Sequence, residues 1–111
     1  MKILINHSNE DSMLWKEERK DFDVLLDVAS PKNFSSLSNA ISDYREIIWK
    51  LYFKTETDML AKNISPAFYL YLGGNQAYCF IQYVWWKMDL KMPVATKILD
   101  EEGKFVDWRV I

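Results

Sequence analysis

Residues 66–86, PAFYLYLGGNQAYCFIQYVWW, run from Pro66 to Trp86 and hold eight of the chain's seventeen aromatic side chains. Phe68, Leu70 and Leu72 alternate with Tyr69 and Tyr71. Beyond Gly73-Gly74-Asn75, Tyr78 and Phe80 alternate with Cys79, Ile81, Tyr83 and Trp85. Period-2 alternation is the pattern of a strand, and a Gly/Asn break between two such runs is the pattern of a hairpin turn. The stretch predicts an antiparallel hairpin too apolar to stand alone in water, so another element must cover it.

The expected cover is a helix from Ser35 or Ser36 to Lys54. Leu37, Ala40, Ile41, Tyr44, Ile48, Leu51 and Tyr52 recur there at three- and four-residue spacing, and the serines supply N-caps. Ile47 and Trp49 fall off that stripe. Thr55 and Asp58 have capping-box spacing, which predicts a short second helix ending near Asn63, before Pro66. Met1–Asn6 reads as a short strand, central because Ile3-Leu4-Ile5 is apolar on both faces. Ser8 and Asp11 have capping-box spacing ahead of a possible short helix through Lys20. In Asp21–Val28, Phe22, Val24, Leu26 and Val28 alternate with Asp21, Asp23, Leu25 and Asp27, a half-buried strand stopped by Pro31. Val94–Leu99 and Phe105–Ile111 flank Asp100-Glu101-Glu102-Gly103 as a second hairpin. The expected fold class is α+β in one domain, 1–111. It is an antiparallel-rich sheet of about five to six strands, with one long helix and one or two short ones packed on a face.

The 111 residues suit a single domain, and 50% apolar with 27% charged is the balance of a soluble globular chain. No apolar run approaches the roughly 20 residues that span a bilayer. Met1–Asn6 is too short for the apolar region of a signal peptide, and the lone Cys79 forms no internal disulfide; a cytoplasmic location is expected. The net charge of −2 is concentrated near the start, where residues 1–27 carry seven acids and four bases. That argues against direct nucleic-acid binding, which needs basic residues to replace phosphate counterions.

Catalytic raw material is sparse. His7 is the only histidine; with Asp11 and a serine it makes a triad on paper, but no nucleophile motif accompanies it. A structural zinc site takes about four Cys or His ligands, and this chain has two in total, so no metal is expected. Gly73-Gly74-Asn75 lacks the lysine of a nucleotide loop. Asp23 and Asp27, four residues apart on a strand, would stand roughly 13 Å apart, beyond the ~9.5 Å limit of glycosidase carboxylates. No enzyme and no cofactor are expected. Trp85 and Trp86, adjacent in a presumed strand, must point to opposite faces. No Lys or Arg lies between Ala67 and Trp86 to turn these aromatics into a base-stacking platform.

A compact α+β domain with a local acidic excess, surplus aromatics and a helix followed by Tyr69-Leu70-Tyr71-Leu72-Gly73-Gly74-Asn75 resembles the small immunity proteins of bacterial contact-dependent inhibition and polymorphic-toxin systems. The resemblance implies a protein-binding inhibitor, monomer or homodimer, that neutralises a basic cognate toxin, frequently a nuclease. Glu17, Glu18, Asp21, Asp23 and Asp27 would then mimic phosphates and steer association, and Trp15 or Trp86 would supply a desolvated anchor. A phage-encoded inhibitor fits the same features. A different class stays open: a small-ligand-binding or enzymatic domain with a pocket between helix and sheet, lined by Tyr44, Tyr71 or Tyr83. So does a homodimer formed through the aromatic sheet.

Overall fold

A computed structural model describes residues 1–8, 10–28, 37–73, 86–87 and 91–111; the side chains at 14, 37–41, 43–45 and 48 are outside that description. Its elements are β1 (Lys2–Asn6), β2 (Val24–Asp27), α1 (Leu37–Ala61), β3 (Ala67–Tyr71), β4 (Val94–Leu99) and β5 (Phe105–Val110), in one sheet ordered β2-β1-β3-β4-β5. β1 lies in the interior of the sheet, as its two-sided apolarity predicts, with Ile3, Leu4 and Ile5 at most 1% exposed. It pairs in parallel with both β2 and β3; β3 pairs in parallel with β4, and only β4 and β5 run antiparallel.

The sheet is thus mixed, five-stranded and mostly parallel, which corrects the antiparallel-rich expectation. β3 is not the first arm of a hairpin, because both of its edges are taken. Phe68 and Leu70 stand opposite Ile3 and Ile5 on one side; Leu70 and Tyr71 stand opposite Val94 and Ala95 on the other. The Leu70 amide donates to Pro93 O at 3.2 Å and the Leu72 amide to Ala95 O at 2.8 Å, so the residues that a Gly73-Gly74 hairpin would pair first are already bonded. Tyr78–Trp85, the expected second arm, including Cys79, lies outside the described residues. Trp86 belongs to a helical turn with Lys87 rather than a strand, so the opposite-faces argument for it does not apply.

Handedness explains the layers. Parallel crossovers are right-handed, so connections running in opposite directions along a sheet must cross on opposite faces. β1 to β2 runs one way; β2 to β3 and β3 to β4 run the other. Accordingly, Trp49, Leu51, Tyr52 and Met59 of α1 share one face with Ile3, Ile5, Phe68, Leu70 and Val94, and Trp86 from the β3–β4 connection joins them. The opposite face, with Leu4, Tyr69, Tyr71 and Ala95, is covered by the β1–β2 connection through Trp15 and Phe22, and by Trp108 of β5.

Helix α1 is one element of 25 residues, with no break at Thr55. It ends as the sequence before Pro66 suggests. Asn63 takes φ of 58°, the Asn63 amide donates to Leu60 O and the Ile64 amide to Met59 O, together a Schellman cap with asparagine in the left-handed position. Where a short helix after Ser8 was expected, two 3-10 turns form, Ser12–Leu14 and Glu18–Asp21; Asp11 caps the first by accepting from the Met13 amide at 3.0 Å. β2 is shorter than expected because Asp21 belongs to the second turn, and Phe22 points to the face opposite Val24 and Leu26. The second hairpin forms as read: Gly103 has φ of 82°, and Asp100 Oδ1 accepts from the Glu102 and Lys104 amides.

Candidate functional site

In a parallel sheet, ligands bind outside the carboxyl ends of the strands, at the point where successive connections leave in opposite directions. Here that point lies between β1 and β3. The chain leaving β1 there is polar yet buried: Asn6, His7, Ser8 and Ser12 are each at most 3% exposed. Burying such groups costs free energy unless each finds a partner.

Asn6 is the hub. Its Nδ2 donates to Glu10 O and to Asp27 Oδ1, both at 2.9 Å, while its Oδ1 accepts from the Ser8 amide at 3.2 Å and Ser8 Oγ at 2.5 Å. Both donors and both lone pairs are therefore in use. Ser12 Oγ donates to the other Asp27 oxygen at 2.5 Å, and Ser8 Oγ accepts from the Glu10 amide at 3.2 Å. Asp27, at the end of edge strand β2, thus ties down two points of the β1 loop. His7 is held neutral: burial pushes its pKa down to about 4, partly offset by a hydrogen bond with the Val28 backbone.

The network reaches across to β3. Tyr71 Oη donates to Glu10 Oε2 at 2.8 Å, bridging the ends of β1 and β3 where the strand order reverses. Gly73 makes this possible, since a Cβ there would sit 2.4 Å from the Tyr71 ring. Beneath the bridge, Trp15 packs edge-on to Tyr71 with centroids 4.7 Å apart, and Lys97 Nζ sits 3.7 Å from the Trp15 ring centroid and 3.8 Å from Glu18 Oε1. Burial lowers the Lys97 pKa, against the pull of Glu18 and Glu10.

The residues singled out from the sequence are dispersed. Trp15 and Trp86 are both buried, Trp86 completely, its Nε1 donating to Pro93 O at 3.0 Å. Glu17, Asp21 and Asp23 are exposed on the β1–β2 connection, where Lys16, Arg19 and Lys20 intersperse them; Glu18 is partly buried against Lys97. Asp27 alone belongs to the carboxyl-edge network. Tyr71 faces away from α1, so it cannot line a pocket between helix and sheet; Tyr83 and the Tyr44 side chain lie outside the described residues.

Asn6, Ser8, Glu10 and Ser12 escaped the sequence reading as site residues, and Tyr71 was read only as lining a pocket between helix and sheet. Their available signal was a polar run directly after a strand apolar on both faces, which marks a parallel strand's carboxyl end. In this arrangement Ser8 Oγ donates to Asn6 Oδ1 and Ser12 Oγ to Asp27 Oδ2. Among the described residues no three His, Cys, Asp or Glu side chains cluster as metal ligands, and no helix is long and apolar enough to cross a membrane. No protein-family model matches the chain, and no curated protein or solved structure matches it significantly.

Proposed function

We propose that this chain is a small-ligand-binding domain whose site is the carboxyl edge of β1 and β3. The carrying observation is the Tyr71–Glu10 bridge across the strand-order reversal, set on a loop whose Asn6, Ser8 and Ser12 side chains are hydrogen-bonded. Preorganised polar groups on a rigid sheet are what selective recognition requires. With Oε2 engaged by Tyr71, Glu10 offers Oε1 as an acceptor, which suits a ligand bearing hydroxyl or amine donors. A thermal-shift screen of nucleosides and monosaccharides tests this. A ligand at ten times its Kd adds about 1.4 kcal/mol, or several degrees in Tm for a domain of this size. The shift should disappear in Glu10→Gln. A ligand that stabilises Glu10→Gln and Tyr71→Phe as strongly as the parent would place the site elsewhere.

A second reading, an immunity-type inhibitor of a basic toxin, rests on Glu17, Asp21 and Asp23 standing exposed on one segment. The three bases among them reduce its net charge, and Trp15 and Trp86, the two anchors read from the sequence, are both buried. Its test is the association rate with a basic toxin nuclease that the chain inhibits: the rate should fall with salt and with Asp23→Lys.

A further inference from the structure

The sheet face opposite α1 contains a cavity of about 230 Å³, separate from the carboxyl-edge network. Its floor is Leu4 and Leu25, direct neighbours across the β1–β2 pairing, and its walls are Trp15, Phe22 and Trp108. The remaining lining is charged, from Glu18, Arg19 and Asp23. Glu18 already faces Lys97. Arg19 and Asp23 have no ion-pair partner within 4.0 Å among the described residues. Arg19 Nη2 donates to Ser12 O at 3.0 Å, leaving its other guanidinium N–H groups; Asp23 Oδ2 accepts from the Lys2 amide at 2.7 Å, leaving Oδ1.

We infer that this cavity binds a free aliphatic α-amino acid of about the size of leucine. An unspent cation and an unspent anion lining one apolar cavity match a zwitterion, with the ligand carboxylate on Arg19 and its ammonium on Asp23. A ligand with only one charge would forgo one of the two charge-assisted contacts. The cavity volume of about 230 Å³ is on the scale of a single medium-sized amino acid. Phe22 and Trp108 meet at 88° and Trp15 and Trp108 at 65°, with centroids 5.1 and 6.3 Å apart, so no two parallel ring faces stand open to sandwich a third. They form the corner of a box, suited to a branched aliphatic group.

Isothermal titration of the full chain with L-leucine tests the inference, alongside isoamylamine, 4-methylpentanoate, glycine and L-tryptophan. Leucine should bind with a Kd below the order of 10 mM. Removing either charge from the ligand should cost at least about tenfold, as should Arg19→Gln or Asp23→Asn. Both substituted residues are exposed, so the variants should keep the parent's circular dichroism spectrum. Glycine, without a side chain for the box, and tryptophan, too large for it, should bind at least tenfold more weakly. Glu10→Gln should leave leucine binding intact, which separates this site from the carboxyl-edge proposal. No heat with leucine at that concentration overturns the inference. Equal binding of isoamylamine or 4-methylpentanoate, or unchanged affinity in folded Arg19→Gln, also overturns it.

Discussion

Gly73→Ala should be among the most costly single-methyl additions in this protein, and the cost should vanish when the Tyr71 ring is removed. A Cβ at Gly73 would lie 2.4 Å from Cε2 and Cζ of Tyr71 and 2.6 Å from its hydroxyl, distances that real Cβ contacts do not reach. The ring must therefore move. It is 5% exposed, packed 4.7 Å from Trp15, and its hydroxyl holds Glu10 at 2.8 Å. Overpacking a filled site costs about 1–3 kcal/mol, and the displaced hydrogen bond to a solvent-exposed carboxylate adds about 1 kcal/mol. The expected total is ~3 kcal/mol, a large fraction of the ~5–15 kcal/mol that holds a domain of this size together. Urea unfolding followed by fluorescence gives the number, with a constant m value confirming that stability alone has changed. In a Tyr71→Leu background the colliding atoms are gone, so Gly73→Ala should cost less than about 0.5 kcal/mol, and the double-mutant cycle should return a coupling near 2.5 kcal/mol. Tyr71→Phe alone should cost only the hydrogen bond, about 1 kcal/mol. The reasoning is refuted if Gly73→Ala costs the same in both backgrounds.

His7 carries a pH signature. Its folded pKa of about 4 lies below the ordinary histidine value of 6.5, so folding favours the neutral ring. The stabilisation is complete above the unfolded pKa and is lost as the pH falls toward the folded one. Stability should drop by about 2 kcal/mol between roughly pH 7.5 and pH 5; His7→Gln should flatten that slope in urea titrations at each pH. At the helix end, Asn63 already accepts a φ of 58°, so Asn63→Gly should raise stability by a few tenths of a kcal/mol, about 0.5, while Asn63→Val should lower it by ~1–2 kcal/mol. Asp27→Asn presents an NH2 to either Asn6 Nδ2 or Ser12 Oγ, both of which donate to it now. Its expected cost is about 1–3 kcal/mol in unfolding experiments, and an unchanged midpoint would show that the loop network is not under tension from β2.

Much of the fold was legible residue by residue, but strand direction was not. The two-sided apolarity of Ile3-Leu4-Ile5 placed β1 in the interior of the sheet, and the Asp100–Gly103 turn placed β4 beside β5. Both inferences use local chemistry. Phe68–Tyr71 carried the same two-sided pattern as β1, which is a parallel-strand pattern. Gly73-Gly74 beside it pointed to a local hairpin, although β3 takes its partners from near the start of the chain and from residues 94–95. Pairings separated that far in sequence leave no local mark. The candidate site was hidden for the same cause. Ser8, Glu10 and Ser12 look like turn residues until β3 and β2 arrive with Tyr71 and Asp27.

The β1–β2 connection carries a structural duty that a helix performs in most parallel units. Right-handed crossing forces it onto the face opposite α1, yet the helical structure among its described residues is two short 3-10 turns. Single side chains must therefore hold it. Trp15 and Phe22 supply the apolar contact, Trp108 Nε1 grips Glu18 O at 2.8 Å, and Lys97 is fixed between Glu18 and the Trp15 ring. A cation over an indole is worth about 1–2 kcal/mol when partly desolvated, comparable to what one turn of packed helix would add. The same few contacts enclose the cavity on the face, and Trp15 also packs on Tyr71, which holds Glu10 at the carboxyl edge. The order of both candidate sites thus depends on this one segment rather than on the helix.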